Sequence, residues 1–239
     1  KLKNRIIFSG KVKSYHQVLN TNKFYSSGKI KRIKSISNKV LEQFFSQSLL
    51  MQKSTGEFRE VVSVFISLSG LAGRNAASVS QRVLEKQVPK VISAANKFKG
   101  FLNKVIFDDK GWMLLILFGA PAGIENPCNN ALNFILELKK VLGNSIVLNF
   151  GTAFGTVYAG FIGSNIRCEY SVLGKTVNLS SRLATLSRCG PVLCDERVYK
   201  EVSDSFEFRK LSPVVIKGFK DKQNIYELNR IKNLPNYTK

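Results

Sequence analysis

The order of elements readable along this chain predicts an α+β fold with a ferredoxin-like split βαβ core and C-terminal additions. Three observations carry that expectation. A strand-length, β-branched run at residues 61–68 (VVSVFISL) leads into a stretch with helical apolar spacing; two apolar runs flank a turn sequence at residues 108–111; and a second, well-punctuated helical stretch precedes further strands. The resulting order β, α, β, β, α, β, β is that of the split βαβ arrangement. The 239 residues suffice for one sizeable core, and no apolar run reaches the roughly 18 residues that a membrane span requires.

Each element has its own local reason. The first strand ends in a loop containing Gly70 and Gly73. Val79, Val83, Leu84, Val88, Val91, Ile92, Ala95 and Phe98 then recur at helical spacing, with Pro89 marking a kink or the first turn of a second helix and Gly100 a stop. Residues 101–107 and 112–118 read as a hairpin whose turn, Asp108-Asp109-Lys110-Gly111, holds a glycine able to take positive φ. In the next helix Asn126 is the expected cap, Pro127 the first helical residue and Gly143 the stop; Ala131, Leu132, Ile135, Leu138 and Leu142 form the face that should lie on the sheet. Residues 146–153 and 156–162 read as a second hairpin, tight at Gly155, and an appended C-terminal part begins near Cys168.

Charge divides the chain unevenly. Lys and Arg total 37 against 16 acidic residues, a net +21 that implies attraction to something acidic. Residues 1–56 hold 12 of those basic residues and the single acid Glu42, so this quarter is expected to be a basic linker or arm, with one short amphipathic helix at residues 40–51 (VLEQFFSQSLLM). Residues 57–230 form the expected globular domain and 231–239 a basic tail. The arm's expected partner is an acidic protein or membrane surface, with no specific nucleic acid; a solvated interdomain linker is the bland alternative. Cys128, Cys168, Cys189 and Cys194 make no CxxC pair and His16 is the only histidine, so neither a zinc cage nor a disulfide framework is expected. Reduced thiols suit a cytoplasmic location, with cytoskeletal or ciliary association a further expectation. No signal-peptide pattern follows Lys1, and the chain is expected to be part of something longer.

Residues 155–183, GTVYAGFIGSNIRCEYSVLGKTVNLSSRL, carry the pattern G-x-V-x-A-G-x-I-G, then E-Y-x-V-x-G, then V-N-x-x-x-R-L. That segment resembles class III adenylyl and guanylyl cyclases. Phe58-Arg59, Asn103-Lys104-Val105, Phe118-Gly119-Ala120-Pro121 and Val215-Ile216-Lys217-Gly218 fall in family order around it, so the resemblance covers residues 58–228. The long hairpin with Phe-Asp-Asp-Lys-Gly at its tip is similar to the second cyclase domain of soluble, bicarbonate-responsive adenylyl cyclases. The resemblance thus implies the class III cyclase fold, with an active site built between two such domains.

What it implies for residues is asymmetric. Two divalent cations, Mg²⁺ or Mn²⁺, would be held by two aspartates; at the first of those positions stands Ser67, whose hydroxyl lacks the anionic oxygen a hard cation prefers. The second falls on Asp108, preceded by Phe107 rather than glycine, so Asp108 and Asp109 are expected at a solvent-facing hairpin tip and no metal by this chain alone. The complementary residues are kept. Lys104 stands where the family's base-reading lysine donates to adenine N1, and Ser171 where a second base-reading residue accepts from the adenine amino group, a strand serine bonded to backbone being its equal alternative. Asn178 and Arg182, four residues apart and so on one helix face, stand where the family orients the ribose and stabilises charge on the transferring phosphate. Lys217 stands where a lysine clamps the β- and γ-phosphates.

The expected function is therefore the second half of an adenylyl cyclase, making cyclic AMP and pyrophosphate from ATP only when paired with a complementary, metal-binding first cyclase domain in the same or another chain. The alternative is a catalytically inactive cyclase-fold module with a structural or regulatory role. Cyclic-dinucleotide synthases share the core, but their GG[DE]EF signature is absent.

Overall fold

The computed structural model describes residues 8–12, 15–18, 49, 56–68, 76–108, 111–143, 147–164, 168–187 and 190–232. The chain divides into two compact units, Lys1–Phe44 and Phe45–Lys239. In the first, β1 (Phe8–Val12) and β2 (Tyr15–Val18) form an antiparallel hairpin with Val12 opposite Tyr15. The basic arm expected over residues 1–56 therefore contains a strand pair. Of the amphipathic helix expected over residues 40–51, only Leu49, helical and buried, lies among the described residues.

The second unit is built on an eight-stranded sheet. Its strands are β3 (Gly56–Ser67), β4 (Phe101–Asp108), β5 (Gly111–Phe118), β6 (Asn149–Gly163), β7 (Cys168–Leu173), β8 (Val192–Asp195), β9 (Phe206–Lys210) and β10 (Ile225–Ile231), with α1 (Ala76–Lys97), α2 (Pro127–Leu142), α3 (Lys175–Leu186) and α4 (Glu196–Val202) between them. The strand order is β4-β5-β3-β6-β8-β10-β9, and β7 pairs with the outer half of β6. Because β5 lies antiparallel between β3 and β4, the unit β3-α1-β4 is a split βαβ; β6 closes the core antiparallel to β3. The predicted α+β class and core hold, with β8, β9 and β10 as the C-terminal additions.

Alternation along β3 explains the two layers. Val62, Val64 and Ile66 point to the face covered by α1 and α2, where they meet Phe118, Phe134, Ile135, Leu138 and Phe150. Val61 and Phe65 point to the other, joining Val157, Tyr170, Val172 and Ala184. Burying a side chain the size of Phe134 contributes about 2–3 kcal/mol, so this continuous apolar set on both faces makes β3 and β6 the rigid centre of the unit.

Punctuation was read less well than periodicity. One helix, α1, runs through Pro89 without a second start. Asn126 does not cap α2: it takes a left-handed conformation, φ 50°, and its side chain makes no cap bond, while the Asn130 amide donates to the carbonyls of Glu125 and Asn126 instead. Gly143 does stop the helix, and Gly111 does turn the hairpin at φ 95°. The second hairpin is a misreading of Gly155. β6 runs unbroken for 15 residues with Gly155 opposite Val61. A Cβ there would crowd the Thr176 hydroxyl and the Arg197 guanidinium, so this glycine serves close approach and not a turn. The actual hairpin is β6 with β7.

Two contacts fix the helices that follow. At Gly151 on β6, the backbone of α3 comes so near that a Cβ would overlap the Ser180 carbonyl and the Ala184 amide. The buried Ser63 and Ser180 hydroxyls share a hydrogen bond of 2.8 Å at the same crossing. α4 is capped by Asp195, whose Oδ1 accepts from Val198 N at 2.9 Å and from Phe154 N at 3.4 Å. Burial pushes the Asp195 carboxyl up to about 7, against the smaller opposing effects of those two bonds and of Arg197.

Gly151→Ala is therefore expected to destabilise the domain by about 3 kcal/mol, as overpacking between two backbones does, read as a fall in the urea midpoint at unchanged slope. For Asp195, the folded carboxyl binds its proton more tightly than the unfolded one, so its contribution is present at low pH and is lost as pH rises from 3.8 towards about 7. Asp195→Asn, which keeps an acceptor for the cap, should gain stability relative to the parent across that window, by up to about 4 kcal/mol. A pH series of denaturant melts checks it.

Candidate functional site

Helix α3 presents two of the predicted residues. Leu179, Ser180, Leu183 and Ala184 turn inward onto the sheet, which leaves exposed Asn178 and half-buried Arg182 on the outward side. Neither the Asn178 amide nor the Arg182 guanidinium has a side-chain hydrogen bond or ion pair among the described residues. Lys217 lies in the exposed turn before Gly218, at φ 92°. Its neighbour Ile216 is buried with Leu179 and Leu183, so the loop that carries Lys217 is seated on the same helix as Asn178 and Arg182. These three polar side chains therefore share one scaffold and are open to solvent.

Lys104 and Ser171 belong to a different seam. Strands β4 and β7 are not paired in the sheet, yet the Asn103 amide donates to the Tyr170 carbonyl at 2.9 Å, and the rings of Phe101 and Tyr170 meet edge-on with centroids 6.1 Å apart. Beside them the Lys104 ammonium donates to Glu169 Oε1 at 2.7 Å. Ser171, buried, leaves β7 on the same side as Glu169 because the two are separated by one residue. Glu169 was missed by sequence reasoning; the available signal was its place in the E-Y-x-V motif, two positions before Ser171. Val177 of α3 packs on the cluster that contains Tyr170 and Val172, so the seam and the outward face of α3 flank one apolar patch.

The end of β3 carries the first of the two expected metal-holding positions. Ser67 is buried there, opposite Met113 of β5 and Asn149 of β6. Met113 is also opposite Ile106, so Asp108, which pairs with Gly111, stands two residues further out, about 7 Å along the strand. Asp109 lies outside the described residues. A hydroxyl at the strand end and a carboxylate-bearing residue displaced to the hairpin tip do not make the paired anionic oxygens that two hard cations require. Among the described residues, those at the end of β3 do not fit that pair of ions.

Comparison with known proteins follows the geometry. The profile of the family described as adenylate and guanylate cyclase catalytic domain matches residues 14–230. Adenylate cyclase type 10 of Rattus norvegicus is 29% identical over 204 residues, covering 82% of this chain and 12% of that protein; the Homo sapiens protein of the same name gives the same figures. The chain thus spans about an eighth of these relatives' length. Among solved structures, the adenylyl cyclase CyaB from P. aeruginosa superposes with a TM-score of 0.65 at 21% identity, over 73% of this chain and 95% of that one. The guanylate cyclase domain of RhGC from Catenaria anguillulae, in complex with GTP, gives 0.66 at 22% identity, over 74% and 100%. At these identities the structures speak to the fold alone.

Proposed function

This chain belongs to the adenylate and guanylate cyclase catalytic domain family, and from that premise we propose that it is the second, base-reading and transition-state half of an adenylyl cyclase. One observation carries the reading. The side chains for nucleotide handling stand on a rigid scaffold, Asn178 and Arg182 on α3 and Lys104 on β4, while the end of β3 offers Ser67 where a metal-holding half needs a carboxylate. The likeness to adenylate cyclase type 10 supports adenine as the base.

In this reading the substrate is ATP. Lys104 donates to adenine N1, and the Ser171 hydroxyl accepts from the 6-amino group. Asn178 holds the ribose, Arg182 neutralises charge as it develops on the α-phosphate oxygens, and Lys217 holds the β- and γ-phosphates. The 3′-oxygen bonds to the α-phosphorus as the bond to the bridging β-phosphate oxygen breaks; the 3′-hydroxyl proton is lost and pyrophosphate leaves with the electron pair. Mg²⁺ or Mn²⁺, held by the partner half, would lower the cost of removing that proton. The partner is a complementary cyclase domain, in the same or another chain. Exposed Phe58 and Leu173, in register through Tyr158, are an apolar row suited to such a contact.

Two further readings belong with this one. The basic residues of 1–56 suit an acidic protein or membrane surface. No helix among the described residues is long and apolar enough to cross a membrane; a cytoplasmic site of action, at cytoskeleton or cilium, is part of the proposal. The second functional reading, a cyclase-fold module without turnover, is favoured by the same Ser67.

The purified chain with ATP and Mn²⁺ should make no measurable cyclic AMP, and addition of a first cyclase domain carrying both metal-holding aspartates should restore it. Turnover by the chain alone would overturn the half-site reading, and silence of the pair would favour the inactive module. In the active pair, Arg182→Ala should lower kcat by about a hundredfold or more with KM changed only a few-fold, because the guanidinium acts as charge develops. Steady-state kinetics separates that from an effect on ground-state phosphate binding.

A further inference from the structure

Asp195, only 7% exposed, borders a cavity for which the scheme above has no use. The cavity holds about 340 Å³, within the range of small-ligand sites, between the start of α3, the start of α4 and the loop that follows β9. Leu179 and Phe219 give it apolar walls, and exposed Lys175 and Lys222 also line it. These walls are tied to one another. The Asn224 amide donates to Glu196 Oε2 at 3.2 Å, joining the loop to α4, and the Arg197 guanidinium joins α4 to β3 through Glu60 Oε2 at 2.8 Å. Beside Lys222 the loop is closed by the paired backbones of Val214 and Gln223, with hydrogen bonds of 2.8 and 3.0 Å.

The charges around this cavity do not balance among themselves. Arg197 is matched by Glu60 and Glu196 by Lys200, whereas Lys175, Lys222 and Asp195 have no ion pair among the described residues. Two cations and one carboxyl are thus left over. Asp195 Oδ1 accepts from the Val198 and Phe154 amides, and the other carboxyl oxygen takes no hydrogen bond among the described residues. We infer that the cavity binds a small aminoalkyl phosphate monoester, with its ammonium on Asp195 and its dianionic phosphate on Lys175 and Lys222. A ligand that is only cationic meets two lysines, and one that is only anionic meets a buried carboxylate; a ligand that joins the two charges satisfies both. Phosphate puts two negative charges on one compact group, which flexible lysines from two elements can share, and the methylene linker lies on Leu179 and Phe219. Capping alone does not account for Asp195. Asparagine or serine caps a helix as well without a buried charge, while burial raises this carboxyl to about 7 despite the nearby Arg197. A ligand ammonium beside it offsets that desolvation. None of these residues has a part in the nucleotide handling described above, so the inference does not rest on the proposed function.

Isothermal titration of the purified chain at about pH 8, where Asp195 is ionised, tests this with O-phosphoethanolamine and, separately, with ethanolamine and inorganic phosphate. The joined ligand should bind at least about tenfold more tightly than either half, because its second contact is made intramolecularly. Asp195→Asn should lose about thirtyfold or more in affinity, as removal of one member of a buried charge pair does, while its urea midpoint equals or exceeds the parent's. A merely structural role for the carboxyl would move folding and binding together. Lys175→Met and Lys222→Met, at exposed positions, should each weaken O-phosphoethanolamine several-fold, and Arg182→Ala and Lys217→Met should leave its affinity unchanged. Loss of binding in those last two variants would put the ligand in the nucleotide site and overturn the inference. It is equally overturned by an unchanged affinity in Asp195→Asn, by equal binding of inorganic phosphate, or by tighter binding of L-glutamate, which carries the same charges on two carboxylates. Absence of binding by the folded chain at millimolar O-phosphoethanolamine overturns it as well.

Discussion

The close crossing of α3 over β6 is the constraint on which the other features depend. At Gly151 the helix and the strand meet backbone to backbone, and the Ser63–Ser180 hydroxyl bond closes the same crossing. A helix held so near cannot slide or rotate without losing both contacts, so the outward direction of Asn178 and Arg182 is set by residues that lie beneath the candidate site and not in it. The same depth lets Leu179 and Leu183 form a floor for Ile216, which seats the loop that carries Lys217. Small residues at one crossing thus position three polar side chains on two elements.

The seam between β4 and β7 solves a different problem. Strands joined by a ladder are registered by their backbones, whereas between these two the described contacts each involve a side chain: the Asn103 amide to the Tyr170 backbone carbonyl, an ammonium to a carboxylate and an aromatic edge contact. That junction can be retuned by single substitutions without breaking the sheet. Under the proposed function, a base-recognition element placed there is free to change its preference while Ser63, Gly151 and Ser180 keep the seat of Asn178 and Arg182 unchanged. Among the described residues, the seam and α3 meet at the apolar patch where Val177 packs against the cluster of Tyr170 and Val172.

Periodicity and punctuation were not equally legible in the sequence. The apolar spacing of α2 and the paired runs around Asp108 were sufficient, because a buried face leaves its period in the residues themselves. Gly155 misled because a glycine required for a close approach cannot be told from one required for a turn until the neighbour, here Thr176 and Arg197, is known. Asn126 failed as a side-chain cap because its backbone is left-handed, a conformation that its place before Pro127 does not announce, and its side chain makes no cap bond. The positions of Asn178 and Arg182 on one face followed from their spacing. The partner of Lys104 could not, since Glu169 is 65 residues away on a strand that shares no ladder with β4.

Ser67 then has a physical meaning beyond a missing ligand. The position is buried between β5 and β6, with Met113 and Asn149 opposite. A carboxylate there without a cation would carry the cost of a buried charge, or would titrate upward as Asp195 does, and only a bound ion would repay it. A serine costs far less to bury and leaves the strand end stable when no ion is bound. In a pair of related domains with one competent site, the half that gives up the carboxylate gains a fold independent of metal, and the half that keeps it pays the desolvation alone. Under the proposed function, the asymmetry between Ser67 and the polar set Lys104, Asn178 and Arg182 is what selection for one active site per pair would leave, since each half is then relieved of the residues that only the other uses.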